Sequence, residues 1–169
     1  MATIGNTNLY QINTGILPKD ACIVIVKTAW NAGIIDELEN GCRRIFEQYG
    51  FTQIETVVVP GAVELPFAIK ARWYAVSLAR PAAFIALGCV IRGDTPHFDY
   101  VCSTVTDGVL QLNMELPVPT IFGVLTVNTT EQAEERIGGV HGHKGEEAAL
   151  TAIKMVQLNQ SFQNQPPKP

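Results

Sequence analysis

Apolar positions along this chain gather in four short runs, each followed by a stretch in which they recur every three or four residues. Cys22 to Lys27 (CIVIVK) is β-branched and too short for a helix, so it predicts a strand. Ile34, Leu38, Cys42, Ile45 and Tyr49 then fall at helical spacing, and Gly50 stands where a glycine closes a helix. Gln53 to Val59 (QIETVVV) predicts a second strand, stopped by Pro60-Gly61. Ala62 to Val76 predicts a helix with Pro66 in its first turn. After Arg80-Pro81, Ala83 to Ile91 predicts a third, buried strand. Arg92-Gly93-Asp94-Thr95-Pro96 is a tight polar turn, with Thr95 as expected N-cap and Pro96 as first residue of a helix striped by Val101, Val105, Val109 and Leu112. Pro117 and Pro119 end it, and Thr120 to Val127 predicts the fourth strand. Thr130 to Ile137 is expected as a short helix capped by Thr130, Gly138 to Gly145 as a glycine-rich connector, and Glu146 to Leu158 as a last helix with Ala149, Ile153 and Val156 on one face.

A strand and a helix repeated four times, with strands apolar on both faces, predicts an α/β fold: a four-stranded parallel sheet with helices on both sides. The expected organisation is a loose arm over 1–20, one domain over 21–158 and a flexible tail over 159–169. A chain of 169 residues suits one domain. Lys+Arg of 12 against Asp+Glu of 16 gives a net charge of −4, which argues against a general nucleic-acid binder. Charged residues make up 17%, below the roughly 25% of ordinary soluble domains. So few charges predict further buried surface, hence an oligomer. The longest apolar run, Pro81 to Ile91, is too short for a bilayer, which needs about 20 residues. The polar start of the chain carries no secretory signal, so the cytoplasm is expected. Cys22, Cys42, Cys89 and Cys102 are scattered and read as reduced thiols rather than disulfides or a zinc site.

In parallel sheets of this kind ligands bind beyond the carboxyl ends of the strands, so the residues there carry the candidate chemistry. Trp30, in Ala29-Trp30-Asn31 after the first strand, reads as a core anchor or as a stacking platform; its place ahead of the apolar face that begins at Ile34 keeps the platform open. After the second strand Gly61 permits close backbone approach, and Glu64 is either a helix-dipole partner or a carboxylate for ligand hydroxyls or amines. After the third strand, the amides of the Gly93 turn at a helix N-terminus suit an anion, with His97 beside them as a proton carrier. Phe122 lies within the fourth strand, where a lone Phe is usually core; Arg136 suits a helix C-terminus and Lys144 a solvated loop. His141 and His143 lack a third spaced ligand, so no metal is assigned. Neither GxxxxGK[ST] nor a GxGxxG after the first strand occurs.

Taken together, AWN at 29–31, VPGAVELP at 59–66, GCVIRGDTPHFDYV at 88–101, TIFGVLT at 120–126, EQAEER at 131–136 and HKGEEAA at 143–149 resemble the lumazine synthase family of riboflavin biosynthesis, over nearly all of 21–158. The resemblance implies a flavodoxin-like αβα sandwich and condensation of 5-amino-6-(D-ribitylamino)uracil with 3,4-dihydroxy-2-butanone 4-phosphate. It implies that Trp30 stacks on the pyrimidine, with Asn31 beside it, and that Ala62, Val63 and Glu64 line the ribityl chain. Cys89, Val90 and Ile91 would offer backbone groups to the uracil. Asp94 and Thr95 would hold the phosphate with Arg136, and His97 would transfer protons. Phe122, Arg136 and Lys144 would come from a neighbouring subunit, since the family forms pentamers and, in some members, shells of twelve pentamers. Such chemistry moves protons without redox, so no metal or organic cofactor is expected. A non-catalytic ribityl- or flavin-binding relative would keep Trp30 and Glu64 and could dispense with His97 and Arg136; this chain has all four.

Overall fold

The computed structural model describes residues 11–12, 17–76 and 78–163. Four parallel strands, β1 (Cys22–Thr28), β2 (Ile54–Val59), β3 (Pro81–Ile91) and β4 (Thr120–Val127), pair in the order β2-β1-β3-β4. Among the described residues five α-helices accompany them: α1 (Ala32–Tyr49), α2 (Leu65–Tyr74), α3 (His97–Glu115), α4 (Thr130–Glu134) and α5 (Lys144–Gln163). The strand alternation divides the core. Ile23, Ile25, Ile85 and Leu87 face α1 and α5, whereas Val24, Val26, Phe84 and Ala86 face α2 and α3. This is the parallel sheet with helices on both faces predicted from the pattern, and the flavodoxin-like αβα sandwich that the resemblance implied. Ile23 through Val26 are wholly buried, each aliphatic chain contributing roughly 1.5–3 kcal/mol against exposure.

Differences from the expected elements are local. β3 begins at Pro81 rather than Ala83, because a proline is tolerated as the first residue of a strand. Helix α3 begins at His97; Pro96 fills the cap position, and no side chain, Thr95 included, makes a cap hydrogen bond. Thr129, not Thr130, caps α4: its extended backbone lets its Oγ1 accept from Gln132 N at 3.3 Å, whereas Thr130 is already helical. The short helix stops at Glu134. The glycine-rich connector is a small antiparallel hairpin, β5 (Ile137–Gly139) with β6 (Gly142–His143), turned by Gly138 and Gly142 at φ 118° and 75°. Helix α5 runs from Lys144 to Gln163, past the boundary expected at Leu158; the rest of the expected tail, 164–169, lies outside the described residues. Most of the expected arm, 1–10 and 13–16, also lies outside them, while Ile12 and Leu17 pack against the core. The outer strands are less covered than expected, with Val58 of β2 and Phe122 of β4 exposed, because each lies at an open edge of the sheet in the single chain.

Helices α1 and α5 meet through glycines. A Cβ on Gly145 would collide with the Leu38 carbonyl oxygen, and a Cβ on Gly41 with the His143 ring. The Cys42 thiol reaches the Gly145 carbonyl at 3.1 Å.

Candidate active site

Three strands deliver their loops to one edge of the sheet. β1 and β2 remain paired to their last residues, Thr28 opposite Val59 and Ala29 N bonded to Val59 O at 2.8 Å. The chain then turns through Asn31 in the left-handed region (φ 56°, ψ 44°), a conformation asparagine tolerates better than most residues. The Asn31 Nδ2 donates to the Cys89 carbonyl at 3.0 Å, tying the β1 loop to the end of β3. That turn holds Trp30 out from the core, 73% exposed. Of the two readings left open for it, the core anchor is excluded.

After β2, Gly61 is extended and Ala62–Glu64 make one 3-10 turn before α2. Glu64 Oε2 lies 3.1 Å and Trp30 Cδ1 3.7 Å from where a Gly61 Cβ would stand. A carboxylate and an indole therefore share the space over a bare backbone. Cys89 is buried and Val90 and Ile91 half-buried, and burial pushes the Cys89 thiol up to about 11, so it serves there as an apolar wall.

Beyond β3, Arg92 N bonds Val127 O at 2.9 Å, extending the β3–β4 pairing. Its guanidinium stacks on Phe98 at 4.1 Å, bonds Asp99 at 3.0 Å and reaches Asn128 at 3.1 Å. These contacts fix the start of α3 against the end of β4. The sequence reading missed this brace, although a cation and an acid seven residues apart across a helix start were a signal for it. Gly93, Asp94, Thr95 and His97 are exposed, and nothing lies within 4 Å of a Cβ built on Gly93. Among the described residues, no backbone partner occupies the Gly93, Asp94 or Thr95 amides. An open turn leading into a helix can receive an anion, with the His97 imidazole one residue past Pro96.

Phe122, Arg136 and Lys144 are placed elsewhere. Phe122 pairs with Ala86, three residues and so about 10 Å before Cys89 along the sheet. It lines an open groove of about 500 Å³ between the free edge of β4 and α5, together with Lys144, Glu147 and Met155. Lys144 Nζ is held by both Glu147 oxygens at 2.7 and 2.9 Å. Arg136 follows α4 and donates to Gln132 O at 2.6 Å. Its backbone carbonyl accepts from Lys144 N at 2.8 Å, so the hairpin joins the two cations. The candidate residues thus form two groups: one on the carboxyl edge, the other on the β4 groove and its connector.

His141 approaches Glu135 at 3.5 Å and His143 approaches Glu37 at 3.3 Å, so the two imidazoles serve different carboxylates. Among the described residues, no three His, Cys, Asp or Glu side chains are grouped to hold a metal, and no helix is long and apolar enough to cross a membrane. The four cysteines are free, and burial pushes the Cys42 thiol up to about 12.

A family model described as 6,7-dimethyl-8-ribityllumazine synthase matches residues 20–160. Curated proteins bearing that name are similar over most of their length. The one from Parabacteroides distasonis is 45% identical over 156 residues, 91% of this chain and 96% of that protein. The one from Porphyromonas gingivalis is 47% identical over 155 residues, 90% and 94% of the two chains. The one from Xanthomonas campestris is 43% identical over 143 residues, 83% and 91%.

Proposed function

The chain belongs to the 6,7-dimethyl-8-ribityllumazine synthase family, and on that premise we propose how its two groups of residues carry out the family's condensation. The reaction joins 5-amino-6-(D-ribitylamino)uracil to 3,4-dihydroxy-2-butanone 4-phosphate and releases phosphate and water. The aromatic amine attacks the ketone, and loss of water gives an imine. Phosphate leaves with its C–O electron pair, and the ribityl-bearing nitrogen closes the second ring with loss of another water. No electrons are exchanged with an outside acceptor.

An aromatic amine is a weak nucleophile, so holding it against the ketone is the main contribution. Trp30 stacks on the pyrimidine, the Cys89–Ile91 backbone meets its polar edge, and Ala62, Val63 and Glu64 follow the ribityl chain. The Gly93–Thr95 amides receive the phosphate. His97 moves the protons that imine formation and phosphate loss require. Phe122, Arg136 and Lys144 are supplied by an adjacent subunit of a homo-oligomer. Arg136 then gives charge-assisted hydrogen bonds to the phosphate, each worth roughly 1.5–3 kcal/mol, both when it is a handle and when it departs. The positive potential is local, as it must be in a chain of net charge −4. We place the enzyme in the cytoplasm, working without metal or organic cofactor.

The single observation that carries this reading is the convergence of Trp30 and Glu64 over Gly61, beside the Asn31–Cys89 tie. Mixing both substrates with the protein tests it. Lumazine fluorescence should appear with equimolar phosphate; binding of the pyrimidine without product would leave a ligand-binding relative instead.

A further inference from the structure

His143 is nine-tenths buried yet lies in a connector otherwise made of exposed or half-exposed residues. Its ring lies against Gly41 of α1, where any side chain would collide with it, and Gly138 flanks its other edge. Nδ1 receives a long contact from Glu146 N at 3.4 Å, and Nε2 faces Glu37 Oε1 at 3.3 Å. Glu37 is fixed in turn by Arg44 at 3.0 Å, and Arg44 also holds Glu146 at 3.2 Å. A buried imidazole, a bare glycine and a three-charge clasp therefore converge on one turn of chain. That turn pairs with Ile137 and precedes Lys144, whose amide bonds the Arg136 carbonyl.

We propose that His143 is a positioning residue: by seating the hairpin on Gly41 and Glu37 it sets where Arg136 and Lys144 stand for the neighbouring subunit's phosphate-bearing substrate. This rests on the reading that Arg136 serves the phosphate. Short hairpins with glycines at both bends hold no fixed orientation of their own. Misplacing a cation by about 1 Å can cost up to 10²-fold when geometry carries the binding.

The test is steady-state kinetics of full-length His143→Ala, Glu37→Gln and Arg136→Ala. The KM for the butanone phosphate should rise about tenfold in His143→Ala and less in Glu37→Gln, while the KM for the pyrimidine and the light-scattering mass stay unchanged. The His143→Ala/Glu37→Gln double variant should be no worse than His143→Ala, because both act through one ring. If Arg136→Ala raises the ketone KM but His143→Ala does not, or His143→Ala raises both KM values alike, the positioning role is refuted. If Arg136→Ala itself leaves the ketone KM unchanged, the phosphate assignment fails and this inference falls with it. Should His143→Ala lose the native mass, Glu37→Gln alone decides by the same split.

Discussion

Asn31 is the residue on which the carboxyl edge of the sheet turns, and its substitution gives a two-part test. At φ 56° its backbone is one that a Cβ makes costly, by about 1 kcal/mol or more for an ordinary residue. Its half-buried side chain adds the 3.0 Å hydrogen bond to Cys89 O, worth about 1 kcal/mol. Asn31→Gly removes only the second contribution, since glycine adopts the left-handed turn freely, and should cost about 1 kcal/mol. Asn31→Ala removes the hydrogen bond and keeps an unfavourable Cβ, so it should cost about 2 kcal/mol. Urea unfolding at one fixed protein concentration measures both, with the m value unchanged. An alanine variant as stable as the glycine variant would refute the claim that asparagine is there for its backbone. A glycine variant as stable as the parent would refute the tie to Cys89.

His97→Ala should slow turnover by about 10²–10⁴ in steady-state assays with the oligomeric mass intact; an unchanged rate removes His97 from proton transfer. Arg72, buried, is held bidentately by Glu55 at 2.9 and 2.7 Å, and Glu55→Ala should cost about 1–3 kcal/mol in urea unfolding by leaving a buried cation short of partners. Hydrogen bonds from Asn40, Arg44 and His143 hold the Glu37 carboxyl down at about 2 from its ordinary 4.5. A folded value below the unfolded one gives stability that is present above about pH 4.5 and is lost as pH falls toward 2. Half-exposure of Glu37 keeps that contribution small, and Glu37→Gln should flatten this acid limb of the urea midpoint.

The strands and the α/β class were legible because the β-branched runs are buried on both faces, and such runs admit few other readings. The helix ends were less so. Thr129 and Thr130 are the same residue type, and only backbone dihedrals decide which of them caps; Pro96 suited the first helical position and ended at the cap, one residue before the helix. The connector read as loop because its pairing depends on two glycines with positive φ. Gly41 lies inside α1 at a local cost of about 1 kcal/mol, and that misfit was the available clue to close packing against it. Of the candidate site, Trp30 and Glu64 were placed correctly at the sheet edge from order along the chain alone. Phe122, Arg136 and Lys144 came only through family resemblance, since nothing in their spacing relates them to a site on another molecule.

The central claim is that neither group of residues completes a site within its own subunit. Subunits carrying His97→Ala and subunits carrying Arg136→Ala can be unfolded together, refolded as mixed oligomers and assayed for lumazine formation. Random pairing restores about a quarter of the sites to full composition, so about a quarter of the parent activity should return from two impaired parents. Activity no higher than the average of the two parents, in oligomers shown by mass to be mixed, would contradict it.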